Sequence, residues 1–293
     1  MRKIIFIIAI LIIGSIQLKA QLNPLGSQYY INQYLVNPAF AGADQGLRIN
    51  GAFRKLWSNI DGAPISQSLT ADYGFSKVGI GLNVANESAG LQREIRAVAT
   101  YAYHLKLNNN ANQLHFGLSG GFSNQRLSGS DVNGNLGDPL IGQYNDRKTY
   151  IDGDFGVAFT SSKWTIEGAI PNLKSFFKKE NIEQANVNVF YSAISYKFNF
   201  DEGLNLVQVE PKVAYRGVRG FDSIWDAGAL VSIANKKILF TGIYHSTESG
   251  TFGLGMDFQN KYLINAMYTT ETSVLSGYTN GSFELNLRLN LSK

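Results

Sequence analysis

Apolar and polar side chains alternate along most of the chain. From Ile65 to Phe75 the odd positions are mostly apolar and the even ones small or polar. Val78, Ile80, Leu82 and Val84 alternate with Gly79, Gly81, Asn83 and Ala85, and the same holds near the end, where Phe283, Leu285, Leu287, Leu289 and Leu291 alternate with Glu284, Asn286, Arg288 and Asn290. A period of two sends successive side chains to opposite faces of a strand, so one face seeks an apolar medium and the other tolerates water. Fourteen strands are predicted, at 46–57, 65–75, 78–86, 92–107, 113–125, 153–160, 164–170, 187–199, 204–216, 223–234, 237–246, 251–259, 262–271 and 281–291. Many exceed the roughly 5 to 6 residues of a globular strand and match the about 9 to 11 residues of a membrane strand.

A water-soluble sandwich shares this period, but aromatic placement and connection lengths favour a barrel in lipid. Trp57, Tyr73, Phe75, Tyr101, Tyr103, Phe198, Phe200 and Tyr262 gather toward segment ends, as aromatic girdles at two lipid interfaces do. Connections after even-numbered strands are short, such as 76–77, 108–112, 161–163 and 260–261, whereas 58–64, 87–91, 126–152, 171–186 and 272–280 follow odd-numbered strands. Bacterial barrels pair short periplasmic turns with longer outer loops in this way. The expected fold is therefore all-β, an antiparallel transmembrane β-barrel of the outer membrane over 46–293 with about fourteen strands, its lumen closed or loop-plugged. Residues 21–45 are expected as a periplasmic N-terminal segment, with both termini in the periplasm and loop 126–152 outside.

Composition narrows the class further. The 293 residues include 30 Gly, 15 Tyr and 18 Phe but no Cys, and only 16% are charged. That is poor material for a disordered chain or a helical bundle, and it excludes disulfides, thiolate metal sites, a cysteine nucleophile and a lipidated cysteine. Arg2 and Lys3 precede an apolar run over 4–13, with small or polar residues following to Ala20. This is the pattern of a secretory signal peptide over 1–20; a membrane anchor needs roughly 20 apolar residues. Loss of Arg2, Lys3 and Lys19 leaves 23 basic residues against 22 acidic ones, so no nucleic-acid partner is expected.

At the start of the mature chain, Gln33-Tyr34 and then Asn37-Pro38-Ala39-Phe40-Ala41-Gly42 resemble the N-terminal signature of the PorP/SprF-like outer-membrane proteins, associated with type IX secretion and gliding motility in Bacteroidetes. Arg54, Trp57, Gly62, Ala63 and Pro64 continue it, with Leu56 where the family pattern suggests glutamine. Tyr101-Ala102-Tyr103, the stretch from Leu114 to Gly121 and Gly281-Ser282-Phe283-Glu284-Leu285 are similar to later family segments. The resemblance implies a non-enzymatic barrel in the lipid bilayer that helps export a large secreted adhesin, or anchors it at the cell surface. Its partners would be the cargo or the cargo's C-terminal sorting domain, and type IX secretion components in the periplasm and outer membrane. The same residues also have a structural reading, in which Asn37, Pro38 and Gly42 turn the chain into the first strand and Trp57 anchors an interface.

No convincing catalytic constellation is present, and no cofactor is called for. His104 and His115 fall on inward faces near the turn at 108–112 and come close together, as hydrogen-bonded filler more readily than as a catalytic base. Asp131, Asn133, Asn135 and Asp138 alternate like calcium ligands, but Gly134 and Gly137 miss the glycine position and no glutamate closes the loop. An outer-membrane hydrolase is thus the weakest rival. The inward register carries Arg48, Arg54, Asp72, Glu94, Arg96, Asp154, Glu167, Glu210, Lys212, Arg216, Asp226, Asp257, Glu284 and Arg288. Eight acids against six bases, a near balance, suit a lumen filled by side-chain pairs or a folded-in segment better than a selective pore, which shows one sign. A general or substrate-selective porin remains the main alternative. Pairing of the first and last strands predicts a lumen charge cluster of Arg48, Arg54, Glu284 and Arg288.

Overall fold

The computed structural model describes residues 26–107, 112–127, 149–174, 188–202, 205–218, 222–234, 237–272 and 277–291. Its strands are β1 (Gly46–Leu56), β2 (Ile65–Phe75), β3 (Val78–Ala89), β4 (Gln92–Lys106), β5 (Gln113–Leu127), β6 (Tyr150–Thr160), β7 (Trp164–Ile170), β8 (Asn188–Tyr196), β9 (Phe198–Glu202), β10 (Asn205–Val218), β11 (Ile224–Ile233), β12 (Ile238–His245), β13 (Ser249–Phe258), β14 (Tyr262–Thr269) and β15 (Ser282–Leu291). β8 and β9 form one span. Ser195 faces Lys212 of β10 and Phe198 faces Val209, so the register runs through Lys197 unbroken. The interruption falls opposite Pro211, which has no N–H to give to the ladder.

Fourteen antiparallel spans therefore close into a barrel. β1 pairs with β15 along its length, from Leu47 opposite Leu291 to Leu56 opposite Ser282, and β10 pairs with β11. Closure satisfies every edge, as a strand structure in hydrocarbon requires. The burial pattern is inside-out. Phe252 and Leu254 are 66% and 59% exposed, while Glu284 is 2% exposed. In β15, Phe283, Leu285 and Leu287 face outward and Ser282, Glu284 and Asn286 are buried. A soluble sandwich would reverse that arrangement.

The expected strands are all present, with shifted ends. The predicted connection 87–91 shrinks to Gly90 and Leu91 because β3 runs to Ala89 and β4 starts at Gln92. β5 and β6 reach into the predicted loop 126–152, and residues 128–148, with the calcium-like Asp131, Asn133, Asn135 and Asp138, lie outside the described residues, as do the signal peptide and 21–25.

The N-terminal segment departs from expectation. Residues 26–43 do not stand apart from the barrel as a periplasmic segment over 21–45; they occupy its lumen. Ser27, Tyr29, Tyr34, Asn37, Ala39, Phe40 and Ala41 are all buried. The segment coils through three short 3-10 turns, Gln28–Tyr30, Gln33–Leu35 and Pro38–Phe40, then feeds β1 at the end of the barrel that carries the short turns. Gly46 there faces Gly74, and the Gln45 side chain bonds the backbone of Ser76. The physical reason is a match of polarity, since a lumen lined with charges needs uncharged donors and acceptors to fill it without stranded groups.

Candidate functional site

The lumen and its plug form the site, and three levels of contact hold them together. At the long-loop end, the Ser27 N–H donates to the Glu284 carboxylate, 3.1 Å from each oxygen. Arg54 Nε lies 3.5 Å from the same carboxylate. The Tyr29 hydroxyl donates to Asp226, which also accepts from Arg216 Nη2 and His245 Nδ1 at 2.6 Å each. His245 Nε2 meets Thr251 Oγ1 at 2.7 Å, and Thr251 in turn meets Ser27 Oγ at 2.9 Å and Thr269 Oγ1 at 2.7 Å. Arg216 and Asp226 have no exposed surface, so this is a charge cluster that is paired throughout, as burial demands.

At mid-height, Glu167 gathers Lys212 Nζ at 3.3 Å, the Tyr191 hydroxyl at 3.2 Å and Asn37 Nδ2 at 3.4 Å. Tyr34 donates to Thr100 at 2.8 Å, Asn32 to Thr70 at 2.9 Å and Tyr30 to the Lys212 carbonyl at 3.1 Å. Asn37 also caps its own turn, accepting from Ala39 N–H at 3.0 Å with Pro38 in the first position of the turn, where the missing N–H costs nothing.

At the short-turn end, Gly42 N–H donates to Asp72 at 2.9 Å, and Asp72 pairs with Arg48 at 3.1 Å. Gly42 has φ +64, and a Cβ there would lie 2.6 Å from Gly79 Cα, so both backbone conformation and close approach require glycine. His104 Nε2–H donates to the Ala41 carbonyl at 3.1 Å. That leaves its Nδ1 to accept from His115 Nδ1–H at 2.8 Å, while His115 Nε2 accepts from the Thr160 hydroxyl at 2.8 Å. The two histidines meet as the sequence indicates, and their shared task is to tie the plug to the wall.

The predicted signature residues divide between plug and rim. Asn37, Pro38 and Gly42 are plug residues. Trp57 follows β1 with φ 45, its N–H bonded to the Gly281 carbonyl; Gly62 accepts from Gly90 N–H, and the Pro64 carbonyl accepts from Leu56 N–H. The predicted charge cluster is two clusters. Arg54 and Glu284 sit opposite each other in the β1–β15 register at the loop end. Arg48 and Arg288 lie toward the other end, where Arg48 pairs with Asp44 and Asp72 and Arg288 with Asp257 at 3.0 Å. Of the fourteen inward charges, twelve form six pairs, including Arg96 with Asp154 at 2.6 Å. The other two, Glu94 and Glu210, accept from Ser123 and Ser195.

The Thr251–His245–Asp226 chain has the order of nucleophile, base and orienting carboxylate. All three have no exposed surface, and neither main cavity is lined by any of them. One cavity of about 170 Å³ lies toward the loop end, beside Ser66, Glu87, Glu94 and Tyr150. The other, of about 460 Å³, lies toward the short turns, beside Asp44, Lys197, His115 and Arg288. The chain of hydrogen bonds reaches Ser27 through Thr251 and Tyr29 through Asp226, and so anchors the plug.

Glu284→Lys is expected to cut the yield of folded, heat-modifiable barrel sharply, because it removes the acceptor of Ser27 and sets a third cation beside Arg54 and Arg216. Like charges in such a confined space repel. Assembly unchanged on a gel run with and without boiling would show that this register is wrong.

An inside-out, closed strand structure with its lumen filled by its own chain is an outer-membrane β-barrel. The fold is similar to that of Omp33 from Acinetobacter baumannii, 8% identical over 85% of this chain and 100% of that one with a TM-score of 0.51. It is also similar to the toluene transporter TbuX from Ralstonia pickettii, 11% identical over 92% of this chain and 94% of that one with a TM-score of 0.53. Identities this low speak to architecture alone. No curated protein matches the sequence. Residues 18–289 match the family described as type IX secretion system membrane protein PorP/SprF, and the chain belongs to that family.

Proposed function

We propose that the protein is a non-enzymatic accessory barrel of type IX secretion that helps export a large adhesin-like protein or holds it at the cell surface, by way of the cargo's C-terminal sorting domain. The observation that carries this reading is the plug. Residues 26–43 lie in the lumen and are bonded to the wall from Glu284 to Asp72, an arrangement that favours a filled barrel over a wide aqueous pore. What remains for function is the pair of rims, suited to holding other proteins. The porin reading is weakened by the same plug and by the paired lumen charges.

The long-loop end is taken as the outer face, because short periplasmic turns and longer outer loops are the rule in such barrels. Isolation of the tagged barrel from outer membranes in mild detergent is expected to retain a large secreted protein together with type IX components. A barrel that comes away alone from cells actively exporting cargo would overturn the proposal.

A further inference from the structure

Lysine recurs at the short-turn end of the barrel. Of the six short turns, which follow β2, β4, β6, β9, β11 and β13, five have a lysine in the turn or beside it: Lys77, Lys106, Lys163, Lys237 and Lys261. All five are exposed. The turn after β9 is the exception, since Asp201 and Glu202 lead into it.

Pairing gives the face on which these lysines stand, because residues opposite each other on neighbouring strands share a face. The Lys77 carbonyl accepts from His104 N–H, that of Lys163 from Lys197, that of Lys237 from Asp257 and that of Lys261 from Asn290, and Lys106 lies opposite Gln113. His104 and Asp257 are buried inward residues, Asn290 is opposite Arg48, and Gln113 and Lys197 line the cavity of about 460 Å³. All five turn lysines therefore take the inward register, and Lys197 adds a sixth directly across from Lys163. Their neighbours in sequence, such as Leu105, Trp164 and Tyr262, are exposed on the lipid face. The aromatic neighbours meet lipid while the lysines ring the mouth of the lumen.

The ring carries charge that the barrel leaves unspent. Among the described residues none of the six lysines forms an ion pair. Of the acids around the same cavity, Asp44 pairs with Arg48 and Asp257 with Arg288, and Glu210 accepts from Ser195. We infer that this mouth docks a carboxylate-rich peptide segment of a protein standing on the short-turn face. Ammonium groups gathered around one opening focus their field on it and raise the local concentration of an anionic partner. Lysine is a point charge that needs no fixed geometry, which suits several carboxylates on an extended segment, whereas bidentate capture of a phosphate favours arginine. Behind the ring, Gln113 and Gln208 in the cavity wall supply amides for a peptide backbone. With the loop end outward, as in the proposed function, the docked protein is periplasmic; the docking itself does not depend on that assignment.

The test uses the full-length barrel purified in neutral detergent, with a fluorescent oligoglutamate peptide as the probe. Binding is expected at low salt and should weaken steeply as salt screens the ring, while oligoglutamine should not bind. Combined Lys163→Gln, Lys237→Gln and Lys261→Gln should weaken binding by about tenfold or more, since each exposed pair contributes up to about fivefold. Combined Lys55→Gln, Arg126→Gln and Lys174→Gln at the loop end should leave it unchanged. The heat-modifiable band shows that each variant has folded. Undiminished binding by the first variant, or equal loss in the second, would overturn the inference. Displacement of the probe by phosphatidylglycerol at a lower charge concentration than by unlabelled oligoglutamate would assign the ring to lipid headgroups and overturn it as well. Either failure leaves the export role standing, because that role is read from the cargo isolated with the barrel.

Discussion

Removal of residues 27–41 is expected to convert a silent barrel into a conducting one. In planar bilayers the full-length protein should show no porin-like steps, since the plug is bonded to the wall along the lumen, with cavities of about 170 and 460 Å³ beside it. Without the plug, the inward charges of β1, β2, β4, β6, β7, β10, β11, β13 and β15 face water. Their six ion pairs survive in the wall itself, so the barrel still closes, with lower stability. The change expected is from no conductance to that of an open pore. The heat-modifiable band shows that the variant has assembled. Steady conductance through the full-length chain would show that the plug does not seal.

Asp226→Asn carries the largest expected loss of stability from a single substitution. Asp226 is the common acceptor of Tyr29, Arg216 and His245, all without exposed surface. Removing one partner of a buried charge pair costs about 3–5 kcal/mol, because the other charge is left uncompensated. Asp44→Asn is the matched control. Asp44 also pairs with an arginine at 2.6 Å, but its side chain is 73% exposed, and such surface pairs contribute about 0–1 kcal/mol. The temperature at which each variant loses its folded gel mobility should fall markedly for Asp226→Asn and hardly at all for Asp44→Asn. Equal shifts would mean that the Asp226 cluster does not hold the plug.

The wall of the barrel was legible in the sequence because its determinant is local. Alternation in segments such as Ile65–Phe75 fixes strand and facing at once, so the inward charges could be named from parity alone. Pairing of the first and last spans also followed, because closure leaves them no other partner. Strand ends were less legible: hairpin pairing carries β3 to Ala89, past the point where alternation fades. The single chemical pair that emerged, His104 with His115, did so because a short turn joins their strands.

The plug was not legible by these means. Its turns have neither a period of two nor one of 3.6, and its contacts are all distant in sequence, as with Ser27 and Glu284. One signal was present. From Gln21 to Ala43 no residue is charged, while tyrosine, asparagine and glutamine recur. A segment that stays in water has little reason to avoid charge so completely, whereas one that fills a charged lumen needs neutral hydrogen-bonding groups. Arg48 and Arg288 were grouped with Arg54 and Glu284 because parity gives the face of a residue but not its height. His245 stood out only once the fold brought it to Asp226 and Thr251.

A sealed barrel is proposed to serve a cargo protein through its rims. The most direct test of that role is the surface proteome of a strain lacking the gene, beside the same strain with the gene restored. One large secreted protein is expected to disappear from the surface and to return with the restored gene, while other exported proteins change little. Full display of every surface protein in the deletion strain, with no second family member present to substitute, would contradict it.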